Sequence, residues 1–339
     1  MARYVIRRVL LAIPTLLAIG FVLFSILAFA PGDPTANLPL NIPHETREQI
    51  RQSLGLGEPF LLRWLKWMQL MFTSEPLHLF ESVFNVCVGD CESRARIISW
   101  SSRGPALDVI GERIPQTMWV LGCAFILGIV IAIPVGVISA YKQYSWFDNL
   151  GTLVTMVGYS VPTFFTGLLA IVIFSVKLKW FPSFYDTNHS VDWTSWSSLV
   201  TQARQMVMPV AVLSLFNAAA MTRFTRAAML DNLNEDYVRT ARSKGLKEKT
   251  VLLVHVLRNS LIPVVTLIAL QIPGIFAGAI ITEQIFRING IGALLIGAIS
   301  QNDVPMVQTI TFIFAFLIVA FNLLADVTYG LLDPRIRYD

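Results

Sequence analysis

Residues 234–258 of this chain, with the sequence NEDYVRTARSKGLKEKTVLLVHVLR, are a charged stretch between two long apolar runs. The first part of the stretch has the signals that begin a short helix. We expect Asn234 to cap its amino end, and Glu235 and Asp236 place negative charge in the first turn, where the helix dipole favours it. A charged helix in this position is expected to contact something outside a membrane.

The same stretch also has the signals that end a helix. Arg242 and Lys244 place positive charge in the last turn, and Gly245 supplies the left-handed residue that commonly follows a helix. An ordinary solvated helix in a loop would show the same pattern, since runs of charge usually form solvated faces. The rest of the chain is therefore needed to interpret it.

The composition predicts an integral membrane protein. Of the 339 residues, 55% are hydrophobic and only 14% are charged, and the mean hydropathy is +0.62. A helix needs ~20 apolar residues to cross the hydrocarbon core. Such runs give about six spans, with the fourth the weakest because Asn217 interrupts it. The predicted spans are residues 9–30, 117–140, 150–176, 206–221, 260–281 and 309–330.

The positive residues predict which side of the membrane each loop faces. With alternating spans, the arginines and lysines near short loops fall on one side, which the positive-inside rule makes cytoplasmic. The opposite short loop, residues 291–305, has no Lys or Arg. Both termini and the charged stretch are therefore predicted to be cytoplasmic. The net charge of +4 expresses this asymmetry and requires no nucleic-acid partner.

Residues 31–112 are predicted to form a large extracytoplasmic loop. The loop has a candidate helix at residues 45–54 and an amphipathic run at residues 60–72. Trp64 and Trp67 in that run are typical of the membrane interface.

Two cysteines of this loop, Cys87 and Cys91, are close enough in sequence to form a small disulfide ring in an oxidising compartment. They would make only half of a zinc site, because no His lies near them. We therefore predict a disulfide, although spacing alone does not establish its geometry.

Small residues within the spans indicate close helix packing. At a spacing of four, such residues form a groove that another helix backbone can approach. They are Gly128, Ala132, Gly136 and Ala140 in the second span and Gly274 and Gly278 in the fifth.

Two charged residues, Glu283 and Arg287, follow the outer end of the fifth span. Charges near the membrane often mark a functional site, so the pair is a candidate outer gate or contact for a solute or an outer partner. The alternative is that they are interfacial residues paired locally.

The sequence carries no motif for chemistry. It has no glycine-rich phosphate loop, no HExxH pattern and no four-ligand metal spacing, and no nucleophile, base and orienting acid can be assembled from it. We predict that the chain is not an enzyme and has no cofactor or metal of its own. Energy for any uphill process would come from another subunit.

Several stretches of the sequence resemble one family. EDYVRTARSKGL at residues 235–246, followed by LRNSLIPV at 257–264, is similar to the cytoplasmic EAA motif of bacterial ABC importer permeases, in the variant of the dipeptide and oligopeptide permeases. The chain resembles the first (B-type) of their two permease subunits along nearly its whole length. Further matching stretches are YVIRR at 4–8, APGDP at 30–34, ERIPQT at 112–117, SVPTF at 160–164 and LDPRIR at 332–337.

The resemblance implies an all-α membrane protein with the type I ABC importer permease fold. Residues 1–30 would be the cytoplasmic amino end and first span, 31–112 the outer loop region, and 113–339 the permease core, with a coupling loop at 223–258. The charged helix would be the coupling helix, lying in a groove of an ATPase subunit. Its implied residues are Glu235, Asp236, Tyr237, Val238, Arg239, Thr240, Ala241, Arg242, Lys244 and Gly245, with Tyr237, Val238 and Ala241 as anchors and Arg239, Arg242 and Lys244 as a polar rim.

The resemblance also implies partners. They are a second homologous permease, two ABC ATPase subunits that bind ATP and Mg²⁺, and an extracytoplasmic solute-binding protein that delivers dipeptides or oligopeptides. The complex would lie in the bacterial inner (plasma) membrane and would bind no nucleic acid.

Two departures from the family pattern bear on the outer side: the loop around residues 87–100 is longer than the family's compact form, and RING at 287–290 stands where an aromatic-Pro-Gly turn is commoner.

Two alternatives remain open at this point. The same architecture could import another solute, such as nickel, an oligosaccharide or a sugar-phosphate opine. The chain could also be a membrane anchor or sensor subunit that docks a cytoplasmic enzyme through the same helix.

Overall fold

A computed structural model describes residues 2–29, 57–89, 94–189, 191–277 and 279–332, and these form helices joined by short loops, with one isolated antiparallel bridge between Ile98 and Pro105. Four π-helical turns continue helices: Leu70–Ser74, Met118–Gly122, Ile171–Lys177 and Val251–Val256. The helices are α1 (Ala2–Phe29), α2 (Phe60–Gln69), α3 (Glu75–Phe84), α4 (Ala106–Thr117), α5 (Cys123–Tyr141), α6 (Trp146–Ser160), α7 (Thr163–Ala170), α8 (Trp196–Leu233), α9 (Asp236–Ser243), α10 (Glu248–Thr250), α11 (Leu257–Ala277), α12 (Ile280–Phe286), α13 (Ile291–Ser300) and α14 (Val304–Leu332).

Five helical stretches in the described part of the chain are long and apolar enough to cross a membrane, and two bent pairs raise the number to seven if each pair is one span. The five are Ile6–Phe29, Ala106–Tyr141, Trp196–Leu233, Glu248–Ile272 and Val304–Leu324. The bent pairs are α6 with α7 and its π-helical turn, at 101°, and α12 with α13, at 92°. The prediction of an all-helical, multi-spanning protein is confirmed.

Two predicted elements differ from the structure. The third predicted span, residues 150–176, is broken at Val161, which has an extended backbone. The ring of Pro162 causes this, because a proline disfavours the helical conformation of the residue before it. The region 291–305, predicted to be a short loop, contains the apolar helix α13. Its ten residues are too few to cross a membrane alone, which is why a search for long apolar runs missed it.

The chain divides into two compact units. Among the described residues, the first contains Pro115–Gly292 with 2–6 and 320–332, and the second contains the described parts of Arg7–Ile114 and Ala293–Val319.

The core of the first unit depends on close packing of α5 against α8. A methyl group built on Gly136 would lie 2.7 Å from Cβ of Thr225, and one built on Gly128 would lie 3.2 Å from Cβ of Asn217. The predicted packing role of this glycine pair is confirmed, since a methyl group would clash at Gly136 and would make an unusually tight contact at Gly128. At Gly274 no helix of the described chain fills the predicted groove, because a methyl group there would have no neighbour within 4 Å, and its packing role stays a prediction. Gly278 lies outside the described residues.

In the second unit, aromatic side chains of α1 and α2 pack together. Trp67 is buried, with its ring centroid 6.1 Å from Phe24 and 5.3 Å from Phe312. The ring of Trp64 lies edge-on to Phe21 at 5.4 Å. The amphipathic run at residues 60–72 lies in α2 and the π-helical turn that follows it. Trp67 packs inside the protein, however, because α2 turns its aromatic face toward α1, and the prediction of an interfacial tryptophan is wrong for it.

Other predictions for the outer loop fall partly outside the described residues. The candidate helix at 45–54 lies outside them, as does Cys91. Cys87 is disulfide-bonded. The pairing of Cys87 with Cys91 stays a prediction.

Candidate functional site

The charged helix of the sequence analysis is α9, and its start differs from the prediction. Asn234 ends the preceding helix α8, with a helical backbone, and its side-chain amide donates to the carbonyl of Leu230 at 3.3 Å. Glu235 is the residue that precedes α9, with an extended backbone and no side-chain capping hydrogen bond. The predicted cap by Asn234 is therefore wrong: α8 continues to Leu233, and this directs the Asn234 carboxamide back toward α8.

The end of α9 is as predicted. Gly245 has a φ of +76°, in the left-handed region that favours glycine. Its N–H donates to the carbonyl of Arg242 at 2.9 Å, and the N–H of Leu246 donates to the carbonyl of Ala241 at 3.4 Å. These bonds satisfy carbonyls at the end of the helix and reverse the chain direction.

The apolar face of α9 packs against the chain itself. Val238 and Ala241, three residues apart and so on one side of the helix, are both buried. They belong to a core cluster with Val137, Ala140, Met229, Val251 and Val256. This corrects the expectation that Val238 and Ala241 anchor α9 in a partner's groove, because the chain's own core covers them.

Tyr237, the third expected anchor, is half-buried, and its hydroxyl donates to Oδ1 of Asn232 at 2.8 Å. The bond ties the first turn of α9 to the end of α8. Tyr237 therefore orients α9 from within the chain.

The opposite face of α9 is exposed and polar. Asp236 and Arg239 have side chains 96% and 75% exposed, and their charged groups are 3.6 Å apart. An ion pair this exposed contributes little to stability. Thr240 and Lys244 are exposed beside them. This face is available to a second protein.

Arg242 makes a contact that sequence reasoning missed. Its guanidinium donates to both carboxylate oxygens of Glu248, at 2.8 Å and 3.2 Å. The pair bridges the turn at Gly245 and joins α9 to α10. Ion pairs within one helix join residues three or four apart, and Arg242 and Glu248 are six apart. Only the geometry of the turn between them could have indicated this ion pair.

The two outer candidates, Glu283 and Arg287, have different environments. Glu283 is fully buried, with its carboxylate 3.4 Å from the hydroxyl of Thr117 and close to Gly290. The expectation that Glu283 contacts a solute or an outer partner is therefore corrected. The same threonine hydroxyl accepts a hydrogen bond from the N–H of Ile291 at 2.9 Å, so Thr117 and Glu283 organise the start of α13.

Arg287 is exposed and keeps its candidate role. It has a φ of +53°, and its guanidinium lies 4.3 Å from the ring centroid of Phe184. A guanidinium at this distance from an aromatic face is attracted to it. The contact positions the charge at the surface.

No group of three or more His, Cys, Asp or Glu side chains that could hold a metal ion occurs within the described ranges.

Comparison with known proteins gives matches along the whole chain. Residues 132–338 match a family described as "Binding-protein-dependent transport system inner membrane component", and residues 1–121 match the family of the corresponding N-terminal segment. The oligopeptide transport system permease protein AppB of Bacillus subtilis (strain 168) is 37% identical over 340 residues, covering 100% of both chains. The dipeptide transport system permease protein DppB of Escherichia coli (strain K12) is 34% identical over 357 residues, covering 100% of this chain and 99% of the relative.

Proposed function

The chain belongs to the family of binding-protein-dependent transport system inner membrane components, and from this membership we propose that it is a permease subunit of an ATP-driven peptide importer. The observation that carries the proposal is full-length similarity to relatives named as oligopeptide and dipeptide permeases. The helical, multi-spanning fold agrees with a multi-pass protein of the inner membrane.

The partners are those that the resemblance to peptide permeases implies. The sequence has no phosphate-binding loop of its own, and ATP and Mg²⁺ would bind to two ATPase subunits at the cytoplasmic face. A second permease would complete the path across the membrane, and a binding protein outside would deliver the peptide. Both termini would be cytoplasmic, as the positive residues indicate.

We infer that α9 transmits the movement of an ATPase to the membrane helices. Its buried face, with Val238 and Ala241, joins the core of the first unit, so a push on α9 reaches α5 and α8 directly. The exposed face, with Asp236, Arg239 and Lys244, would lie against the ATPase. Closure of the two ATPases on ATP would then shift the spans between two packings.

Reconstitution of the complete complex in proteoliposomes tests the proposal. We expect a peptide-loaded binding protein to stimulate ATP hydrolysis and peptide uptake together. Crosslinkers attached to cysteines at positions 239 and 240 are expected to capture an ATPase subunit, while one at exposed Asn149 serves as a matched site outside α9. Peptide-independent ATP hydrolysis, or no captured ATPase from α9, would contradict the proposal and favour an anchor or sensor subunit.

A further inference from the structure

A cavity of about 900 Å³ lies within the first unit. It is lined by α5, α8, α11 and α12 and by the break between α6 and α7. Its volume falls within the range of ~300–1,000 Å³ that small-molecule sites occupy. Asn217, Gln271 and Gly274 are among its lining residues.

The lining is apolar except for a few neutral polar side chains, and the residues that form it include no acidic or basic side chain and no histidine. Asn217 and Gln271 are the two carboxamides among them, and both are half-buried. Within the described ranges neither carboxamide makes a hydrogen bond to the rest of the chain. An unsatisfied polar group at membrane depth costs several kcal/mol, so these amides are expected to face water or a polar ligand.

Gly274 widens the same cavity. A methyl group on its backbone would have no neighbour within 4 Å, and the residue lines the cavity. The absence of a side chain at this position therefore serves no packing against the described helices of this chain, and it leaves open space along α11.

We propose that this cavity is the chain's share of the peptide path and that Asn217 and Gln271 bind the backbone amides of the passing peptide. The inference rests on the proposed function and adds the residues that contact the solute. A carboxamide both donates and accepts hydrogen bonds, as a peptide group does. Because the lining is uncharged, passage is independent of the charge on the peptide side chains.

The same lining argues against two other solutes. A nickel ion would need imidazole, thiolate or carboxylate ligands, and a phosphorylated opine would need Arg or Lys to pair with its phosphate. The residues that form the cavity offer none of these groups.

Charge substitution at Asn217 tests the contact. Uptake of the dipeptides Lys-Ala and Glu-Ala is measured in proteoliposomes, each saturating the binding protein. We expect N217D to raise the ratio of Lys-Ala to Glu-Ala uptake about tenfold and N217K to lower it by a similar factor, since a charge within a few ångströms of the peptide acts strongly in a partly desolvated site. The matched changes N149D and N149K, at an exposed position outside the cavity, are expected to leave the ratio unchanged. An unchanged ratio in both Asn217 variants would overturn the inference.

Steric filling at Gly274 gives a second, independent test. We expect G274W to reduce uptake at least tenfold while the complex still copurifies, and G122W to retain uptake, because Gly122 also has open space around it but does not line the cavity. If G274W fails to assemble, G274C modified by a methanethiosulfonate reagent after assembly replaces it, in a chain whose free Cys123 is changed to Ser. Equal uptake before and after modification would overturn the inference.

The two proposals fail in different ways. If the unsubstituted complex takes up no peptide, the proposed function is wrong. If it takes up peptide and the cavity variants behave like their controls, only the inference about the path is wrong.

Discussion

Both carboxylate oxygens of Asp148 accept hydrogen bonds from the guanidinium of Arg226, at 2.7 Å from Nε and 2.8 Å from Nη2. The Asp148 side chain is only 3% exposed, against 26% for Arg226. The N–H of Tyr144 also donates to the carboxylate, at 2.9 Å. The pair joins the first turn of α6 to α8, the helix that leads into α9.

Removal of Arg226 is expected to destabilise the protein more than removal of Asp148. R226M leaves a buried carboxylate without its main partner, whereas D148N leaves an arginine that can still reach water. Breaking a buried ion pair typically costs about 3–5 kcal/mol of folding stability. Because Arg226 is partly exposed, we expect R226M to lose about 3 kcal/mol or less. Thermal unfolding of the purified complex measures it. The double variant D148N/R226M should lose less stability than the two single variants together. Losses that simply add would contradict an interaction between the two side chains.

Gly136 is expected to tolerate no side chain. In G136A the new methyl group would meet Cβ of Thr225 at 2.7 Å and the carbonyl oxygen of Thr222 at 3.0 Å, so α5 and α8 must separate. Overpacking of this kind typically costs about 1–3 kcal/mol. The unfolding midpoint of G136A should therefore fall, while G122A, with open space around the residue, should match or exceed the unsubstituted protein. Equal midpoints for G136A and G122A would contradict the close packing.

Charge reversal at Arg239 is expected to uncouple transport without unfolding the protein. The R239E side chain would lie on the exposed face of α9, where the native arginine makes a weak, exposed ion pair with Asp236. We expect peptide-stimulated ATP hydrolysis to fall several-fold and the unfolding midpoint to stay the same. K249E, a matched charge reversal at an exposed position of α10, should retain coupling. A parallel loss in both variants would indicate a general charge effect.

The location of α9 could be predicted from sequence because its signals are local. Asp236 in the first turn and Gly245 after the last turn each act on neighbouring backbone groups. Which face of α9 is buried could not be predicted in the same way. Val238 belongs to a core cluster with residues as distant in sequence as Val137. A short amphipathic helix has the same sequence pattern whether its apolar face meets a partner or its own chain.

Contacts between residues distant in sequence could not be predicted either. Glu283 follows an apolar run, which suggested a surface position, but the turn at Gly290 folds back over it and buries it. The pairing of Asp148 with Arg226 joins residues 78 positions apart, so no spacing rule could reveal it. The spacing of small residues did not by itself show which glycines pack against a helix. Gly136 meets Thr225 of α8, whereas no atom of the described chain lies within 4 Å of a methyl group built on Gly274.

Order in the segment around Val88 is expected to depend on pH through Glu81. Its carboxylate accepts from Arg94 at 2.7 Å and from the N–H of Val88 at 2.9 Å. Hydrogen bonds from Arg94 and then Val88 hold the pKa of Glu81 below its ordinary value of 4.5. A lowered pKa gives stabilisation that is fully present above that ordinary value and is lost as the pH falls through the folded-state pKa.

Hydrogen exchange measured between pH 3 and pH 6, corrected for intrinsic rates, checks this dependence. Protection of the Val88 amide should fall at the acid end in the unsubstituted protein. E81Q should show weak protection that does not change with pH. An unsubstituted protein with constant protection down to pH 3 would contradict the role of Glu81.

Asp303 is expected to be the most sensitive acidic residue of the second unit. It is fully buried, and its carboxylate accepts from the hydroxyls of Ser99 and Ser101, at 2.5 Å and 2.7 Å, and from the N–H of Met306 at 3.2 Å. It thus caps α14 and holds the segment around Ser99. D303A would leave these donors unsatisfied, at about 1–3 kcal/mol each. For D303A we expect faster proteolysis near Ser99 and a lower unfolding midpoint. S99A should show a smaller change, and D192N, in an exposed turn, should show none. Resistance of D303A equal to that of D192N would show that the segment is held by other contacts.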